Sequence, residues 1–413
     1  MIVERCKGSR DFGPEEMARF RAIEDTFRDL CEACGYGEVR TPTLEYLHLF
    51  TSTGTLTPSM LGRVYSFLDW DGWSGERVVL RPDNTIPVAR LYIDSLADKG
   101  AARLFYVNNT FIFEPTGKAN RERWQCGAEF IGSGGSLADV ELMSLAHKVL
   151  EELGIEDMNL RISHAGVIRA ILKKAGLAAD EEVKVFDEIL DGNCETIARL
   201  KSERPELGQV VSLLLQLKGK SAGFLKNLRA VLMSDSPEMK AALDDFIAIA
   251  ASLEALGQEY QIDITSGRGF EYYTGVMFQL FAGGEKVGGG GRYDALIPLM
   301  GGENTPASGF ALYMDPLMEI LAEEYGSEPQ EPHIGVLVGP GEGKSAFETA
   351  DALRDEGYIA QLCHDAKAAE AVAWLLTVRE EEPTYTLVET ATAITYEAGD
   401  IDELLEILEA QLS

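Results

Sequence analysis

Positive charge is scarce in this chain. Its 413 residues carry 37 Lys+Arg against 68 Asp+Glu, for a formal net charge of −31. Broad binding to DNA or RNA relies on Lys and Arg neutralising phosphates, so the balance argues against a nucleic-acid-binding protein and leaves only a local basic patch open. Long apolar runs are also missing. None approaches the roughly 18 residues needed to span a bilayer, and Met1-Ile2-Val3-Glu4-Arg5 is no signal peptide, so a cytoplasmic protein is expected. The six cysteines are too few and too scattered for a disulfide framework. Cys31 and Cys34 form a C-x-x-C with no second pair and no nearby His pair, which reads as buried small hydrophobes rather than a zinc or redox site. The five histidines (His48, His147, His164, His333, His364) show no ligand spacing. No metal is expected, and nothing pairs a nucleophile with a base.

What is present is ordinary globular composition, 46% hydrophobic and 25% charged, in a length suited to two or three domains. From Pro14 to about Cys34, Met17, Phe20, Ile23, Phe27 and Leu30 recur at helical spacing, and Gly35-Tyr36-Gly37 stops the helix. Strand-like runs follow at Glu38–Thr41, Arg77–Leu80, Arg103–Val107, Phe111–Glu114 and Gln125–Ile131, with a helix over Ala138–Leu153. Between about 165 and 255 the chain turns to Ala, Leu, Lys and Glu at helical spacing, which reads as a helical insertion. Strand character returns at Gln261–Thr265, Gly275–Phe281 and Gly309–Leu312. Such clustering, without regular alternation, predicts an α+β domain over residues 1–325 on a mostly antiparallel sheet. Residues 326–332, polar and twice interrupted by proline, read as a linker. Beyond it, His333–Val338, Ser345–Glu356 and Tyr358–Leu362 alternate strand, helix and strand, which predicts a small α/β domain over 333–413 with a partly parallel sheet. Gly339-Pro340-Gly341-Glu342-Gly343-Lys344-Ser345 looks like a phosphate loop but is one residue short of that pattern. Pro340 removes a donor there and Glu342 adds negative charge, so a tight turn is the better reading.

Five segments, in order, resemble the class II aminoacyl-tRNA synthetases and within them the histidyl enzymes. Gly35-Tyr36-Gly37-Glu38-Val39-Arg40-Thr41-Pro42 with Glu45 resembles motif 1, which in that family forms the dimer interface. Leu80-Arg81-Pro82-Asp83-Asn84-Thr85 resembles the L-R-P-E-x-T segment, with Asp83 replacing Glu. Arg103–Glu114 and Arg121–Glu129 resemble motif 2 and its loop. Arg268-Gly269-Phe270-Glu271-Tyr272-Tyr273-Thr274-Gly275 resembles the histidine-specific R-G-L-D-Y-Y-T-G segment. Gly289-Gly290-Gly291-Arg292-Tyr293-Asp294 and Thr305–Leu312 resemble the approach to motif 3, and Gly8-Ser9-Arg10-Asp11 with Pro14 fits the family's start. The resemblance covers roughly residues 8–320 and implies a class II synthetase-like fold.

An α-ammonium and an imidazole both need acceptors, and Asp83, Thr85, Gln125 and Glu129 supply them. The resemblance implies that Asp83 and Thr85 hold the ammonium and that Gln125 helps with the ligand's polar backbone atoms. Glu129, Tyr272 and Tyr273 would then face the imidazole. Arg268 suits a carboxylate by bidentate pairing. Read residue by residue, Glu129 is equally a paired strand carboxylate, and the tyrosines equally sheet packing.

The departures matter as much as the matches. Motif 2 reads F-R-x-E in the synthetases, where its arginine contacts the ATP α-phosphate, and here Ile112 stands in that place. Motif 3 ends in G-x-E-R, and here Pro316 stands where its arginine would be. Losing two charge-assisted bonds of roughly 1.5–3 kcal/mol each removes much of the grip on ATP, and more on the transition state. Lys118, Arg121 and Arg123 remain in the motif 2 loop. From His333 to Ser413 there are 17 Asp+Glu against four Lys+Arg, a net of −13, which suits an anticodon-contacting domain poorly. A histidyl-synthetase-like fold without ATP-binding arginines resembles the regulatory-subunit family of ATP phosphoribosyltransferase. That resemblance implies a non-catalytic subunit of histidine biosynthesis. It further implies a homodimer within a hetero-oligomer with a short-form catalytic subunit, L-histidine as feedback ligand, no cofactor, and tRNA unneeded. Alternatives are an active histidine–tRNA ligase, or a synthetase paralogue acting on another amino acid or protein.

Overall fold

The computed structural model describes residues 4–53, 61–69, 75–116, 119–174, 202, 205, 217–232, 236–264, 273–325, 333–338, 343–364, 372–379 and 381–412. The chain divides into two compact units, Met1–Glu324 and Tyr325–Ser413.

The first unit opens with helix α1 (Pro14–Ala33), where Pro14 occupies the first turn and Glu16 accepts the Gly13 N–H at 3.0 Å. Its apolar spacing buries Phe20, Ile23, Phe27 and Cys31, and Gly35 in the left-handed region ends it. Cys34, expected to be buried beside Cys31, is exposed just past the helix end, so the two thiols do not share an environment. Then come β1 (Gly37–Glu38), β2 (Leu44–Tyr46), α2 (Leu47–Ser52), β3 (Ser66–Leu68), β4 (Arg77–Leu80) and α3 (Thr85–Ser95). The paired strands β5 (Ala102–Phe111) and β6 (Glu122–Ile131) precede α4 (Ser136–Glu152), β7 (Met158–His164) and α5 (Ala165–Lys174). After β8 (Lys218–Gly219), α6 (Ala222–Leu232), α7 (Pro237–Ala255) and β9 (Gln261–Asp263) comes the hairpin of β10 (Val276–Ala282) and β11 (Glu285–Arg292). Short α8 (Leu296–Leu299), β12 (Ala307–Tyr313) and α9 (Met314–Tyr325) complete the unit.

Nine strands form one sheet in the order β1-β5-β6-β12-β11-β10-β7-β9-β8, antiparallel except for β1–β5 and β7–β9. The fold is α+β. Asn108-Asn109 breaks the apolar alternation in sequence and suggested two strands, Arg103–Val107 and Phe111–Glu114. Continuous pairing from Ala102–Ile131 to Phe111–Glu122 instead carries one strand through, and residues 112–114 lie beyond it. β7 and β11 have no counterpart in the sequence reading. Four consecutive glycines hide β11, because glycine is depleted from strands.

Strand alternation gives the sheet two unlike faces. Phe105, Val107, Cys126, Ala128, Phe130, Leu160, Ile162, Phe278, Leu280, Phe310 and Leu312 join the core formed with α1, α4, α5 and α7. The other face carries Tyr106, Asn108, Gln125, Gly127, Glu129, Gly309, Gly289 and Gly291 in register. One face is therefore a packed core and the other a glycine-floored polar surface. The helices at either end of the expected insertion, α5 and α7, belong to that core, while residues 175–201 between them lie outside the described residues.

In the second unit, β13 (Ile334–Leu337), α10 (Gly343–Asp355), β14 (Ala360–Cys363), β15 (Trp374–Val378), β16 (Tyr385–Glu389), β17 (Thr395–Ala398) and α11 (Ile401–Leu412) succeed one another. Their sheet runs β14-β13-β15-β16-β17, parallel among the first three strands and antiparallel thereafter. The expected linker at 326–332 and the turn at 339–342 lie outside the described residues. No helix among the described residues is long and apolar enough to cross a membrane.

Candidate functional site

Glu129 sits at the centre of the polar face with 1% of its surface exposed. Two glycines make room for it and its neighbour. Gly309 pairs with Glu129 across β12–β6, and a Cβ there would lie 1.7 Å from Glu129 Oε2. Gly127 pairs with Tyr106, and a Cβ there would lie 2.2 Å from the phenol ring. The strands thus trade side chains for space exactly where two large polar groups turn inward.

Three hydroxyls converge on the carboxyl. Tyr106 donates to Oε1 at 3.3 Å, Tyr293 donates to Oε2, and Thr85 bonds it as well. Burial pushes the Glu129 carboxyl up to about 8, against those three bonds, and Asp83 adds to the rise. Asp83 is itself raised by burial, although its Oδ1 accepts the Ile86 N–H at 2.9 Å. Gln125 accepts from Asn84 Nδ2 at 2.9 Å, and Asn108 faces it across β5–β6. Four of the residues picked from sequence, Asp83, Thr85, Gln125 and Glu129, are therefore gathered by α3 and β6. Arg81, in the same segment, is structural: its guanidinium is buried and binds the Thr41 and Asn109 carbonyls at 2.8 and 2.7 Å.

Tyr273 also reaches the site, packing over the Gly291 backbone, and its carbonyl accepts from Arg169 on α5 at 2.8 Å. Arg268 and Tyr272 lie outside the described residues. Behind the floor, Arg292 is gripped by Asp139 of α4 and by Asp245 of α7, whose Oδ2 lies 3.0 Å from Nη1. Asp139 is 1% exposed and also accepts from Ser308 at 2.6 Å, and Asp245 bonds His164 Nε2 at 3.1 Å. Burial raises the Asp139 carboxyl and the Arg292 bonds oppose it. Burial also acts on Asp245, but His164 and Arg292 together pull it below the usual range. Arg292 and Tyr293 are consecutive, so one anchors the strand in the core while the next reaches Glu129. Tyr106, Tyr293, Asn84 and Asn108 escaped the sequence reading. The glycine run before Tyr293, which signals close backbone approach, was the available clue.

The described arginines of the motif 2 loop, and Arg10 near the start of α9, are engaged by the chain itself. Arg10 pairs with Asp315 at 2.6 Å, beside Pro316. Arg121 donates to the Glu114 carbonyl at 2.9 Å and lies over the Phe113 ring, and Arg123 donates to the Asn120 carbonyl at 3.1 Å. Lys118 lies outside the described residues. Among the described residues no three His, Cys, Asp or Glu side chains are grouped to hold a metal ion.

The family described as histidyl-tRNA synthetase matches residues 8–317. A curated relative from Dehalococcoides mccartyi (strain ATCC BAA-2100 / JCM 16839 / KCTC 5957 / BAV1), named ATP phosphoribosyltransferase regulatory subunit, is 50% identical over 99% of each chain. The chain belongs to the histidyl-tRNA synthetase-like family of ATP phosphoribosyltransferase regulatory subunits. A histidine–tRNA ligase from Archaeoglobus fulgidus is 35% identical over 87% of this chain and 85% of its own. Among solved structures, an ATP phosphoribosyltransferase regulatory subunit/histidyl-tRNA synthetase from Bacillus halodurans superposes with a TM-score of 0.78 at 26% identity, covering 90% of this chain and 96% of its own. The family assignment accounts for the shared sheet, and the full-length relative separates this chain from the ligases.

Proposed function

We propose that this chain is the non-catalytic regulatory subunit of an ATP phosphoribosyltransferase and that its polar face binds L-histidine as the feedback ligand. The observation that carries the reading is a division within one site: the amino-acid half is built and enclosed around Glu129, while the phosphate half has Ile112 and Pro316 in place of arginines. Glu129 with its three hydroxyls suits an imidazole, whose two ring nitrogens need a donor and an acceptor. Asp83, Thr85 and Gln125 serve the amino-acid end, with Arg268, Tyr272 and Tyr273 closing the set. The partner is a short-form catalytic subunit, the setting is the cytoplasm, and the mechanism is allosteric: histidine binds with different affinity to the active and inactive complexes.

A homodimer through the motif 1 region is part of the proposal. The small β2-β4-β3 sheet leaves Leu44, Tyr46 and Phe67 between 45% and 47% exposed on one face, Tyr46 and Phe67 both pairing with Val78 and Leu44 lying two residues before Tyr46. Such an apolar patch next to the motif 1 strand supports self-association there.

Reconstitution tests the function. Phosphoribosyltransferase activity should require this chain together with a short-form catalytic subunit, and added histidine should lower it. Histidine-dependent pyrophosphate exchange by this chain alone would instead establish a ligase and overturn the reading.

A further inference from the structure

Two buried polar atoms beside the pocket have no partner: Asn84 Oδ1 and Asn108 Nδ2. Asn84 is wholly buried and Asn108 is 4% exposed, so both are as enclosed as Glu129. Asn84 stands at the N-cap of α3, where an asparagine ordinarily turns its side-chain oxygen to the helix. It makes no such bond here, because the neighbouring Asp83 takes the Ile86 N–H instead. Asn84 is thereby released to turn toward Gln125, to which its Nδ2 donates. Asn108 lies opposite Gln125 in the strand register. The half-buried Gln125 thus stands between two buried amides, one with a bare acceptor and one with a bare donor.

Native proteins rarely leave such atoms unpaired without a ligand, a water or a functional cause. The strands set their spacing from Glu129. Asn108 pairs with Gln125, and both stand four residues along their strands from the Leu104–Glu129 pair, about 13 Å of backbone that the inward-turned side chains shorten. The amide group therefore lies along the pocket from the Glu129 carboxyl, at the end where an amino acid's polar backbone atoms belong. Asp83 accepts backbone N–H groups and Thr85 donates to Glu129, and an ammonium with three donors has use for a further acceptor beside them.

Resting on the ligand reading above, we propose that Asn84 Oδ1 accepts from the α-ammonium, and Asn108 Nδ2 donates to the α-carboxylate, of a free amino acid whose side chain reaches Glu129. The site then reads a finished carboxylate rather than presenting one for activation.

Calorimetry on the full-length chain tests this with three probes: L-histidine, L-histidinol, which lacks the carboxylate, and imidazolepropionate, which lacks the ammonium. Asn108→Ala should weaken histidine roughly tenfold to a hundredfold and leave histidinol unchanged. Asn84→Ala should weaken histidine similarly and leave imidazolepropionate unchanged. Ligand-free Asn108→Ala should melt no lower than the wild type, because it deletes an unpaired buried group, and this separates lost contact from lost fold. Equal losses for histidine and its analogue overturn the proposal, as does unchanged histidine affinity, the result expected if a buried water serves both atoms. A wild type silent to histidine that binds another amino acid with the same Asn108 dependence sinks the histidine reading and keeps this one. Silence to every proteinogenic amino acid overturns both.

Discussion

Histidine affinity should have a pH window set by Glu129. Its carboxyl is pushed up to about 8 by burial, so at neutral pH the empty pocket holds a protonated acid. A free imidazole titrates near 6.5. The bound pair needs one proton between carboxyl and ring, whichever atom carries it. Between about pH 6.5 and about pH 8 the separated partners already hold one, and binding exchanges none with solvent. Below that range both are protonated and one proton must leave. Above it neither is, and one must enter. Affinity should therefore fall about tenfold per pH unit on either side, a change of about 1.4 kcal/mol per unit. Calorimetry in two buffers of different ionisation enthalpy counts the protons directly. Release of about one is expected near pH 5.5, none near pH 7.2 and uptake of about one near pH 9. The α-amino group of histidine also titrates at the alkaline end, so Glu129→Gln is the control, keeping that limb and losing the carboxyl's. A wild-type Kd that is flat across the whole range, or a variant with the wild-type proton uptake near pH 9, refutes the reasoning.

The same shift bears on the ligand-free fold. Because the folded value of Glu129 lies above its ordinary 4.5, its contribution is fully present below that pH and is lost as pH rises toward about 8. Urea melts should show a downward slope of at most about 1.4 kcal/mol per pH unit over that window, and Glu129→Gln should flatten it; no difference in slope counts against a buried neutral acid. Gly309→Ala forces a Cβ onto Oε2 of Glu129 and should cost about 1–3 kcal/mol together with most histidine binding, and full affinity in calorimetry would contradict the geometry. Arg292→Met leaves the buried Asp139 charge unpaired, at roughly 3–5 kcal/mol in urea denaturation, and a change near zero would show that Asp139 is neutral. If the proposed dimer forms through this patch, Phe67→Glu should leave a monomer in sedimentation where the wild type is dimeric, and a variant that stays dimeric would move the interface elsewhere.

The parts of the fold legible in sequence were those where local chemistry and tertiary pairing agree. Pro14, the apolar spacing through Cys31 and the glycine after it mark α1 unaided, and the apolar run at Gln125–Ile131 marks β6. The Asn108-Asn109 pair looks like a break because its strand state comes from pairing with β6, a partner no local pattern announces. β11 was hidden for the opposite reason: its glycines are chosen for what they leave empty. The site showed the same split. Glu129, Asp83, Thr85 and Gln125 stand out in sequence because they carry the recognisable motif chemistry, and the sheet brings the four together. Asn84 passed as the spacer of L-R-P-x-x-T, and Tyr293 as the residue after a glycine run. Their roles depend on which way a cap or a strand end turns, and only the assembled sheet decides that.

The buried polar groups of the site are costly in a way that bears on regulation. Glu129 is held neutral against its ordinary chemistry, and Asn84 Oδ1 and Asn108 Nδ2 are left without partners. Each unpaired buried group costs about 1–3 kcal/mol. A ligand that satisfies them stabilises the folded unit by more than its new contacts alone suggest, because it also removes those costs. A ligand can shift an equilibrium only by the difference in its affinity for the two states. A conformation that opens the floor and hydrates these atoms relieves the empty pocket while discarding the ligand's advantage. A conformation that keeps these atoms buried gains most from being filled. On the proposed reading, the unpaired atoms supply a differential of the kind that feedback by histidine needs.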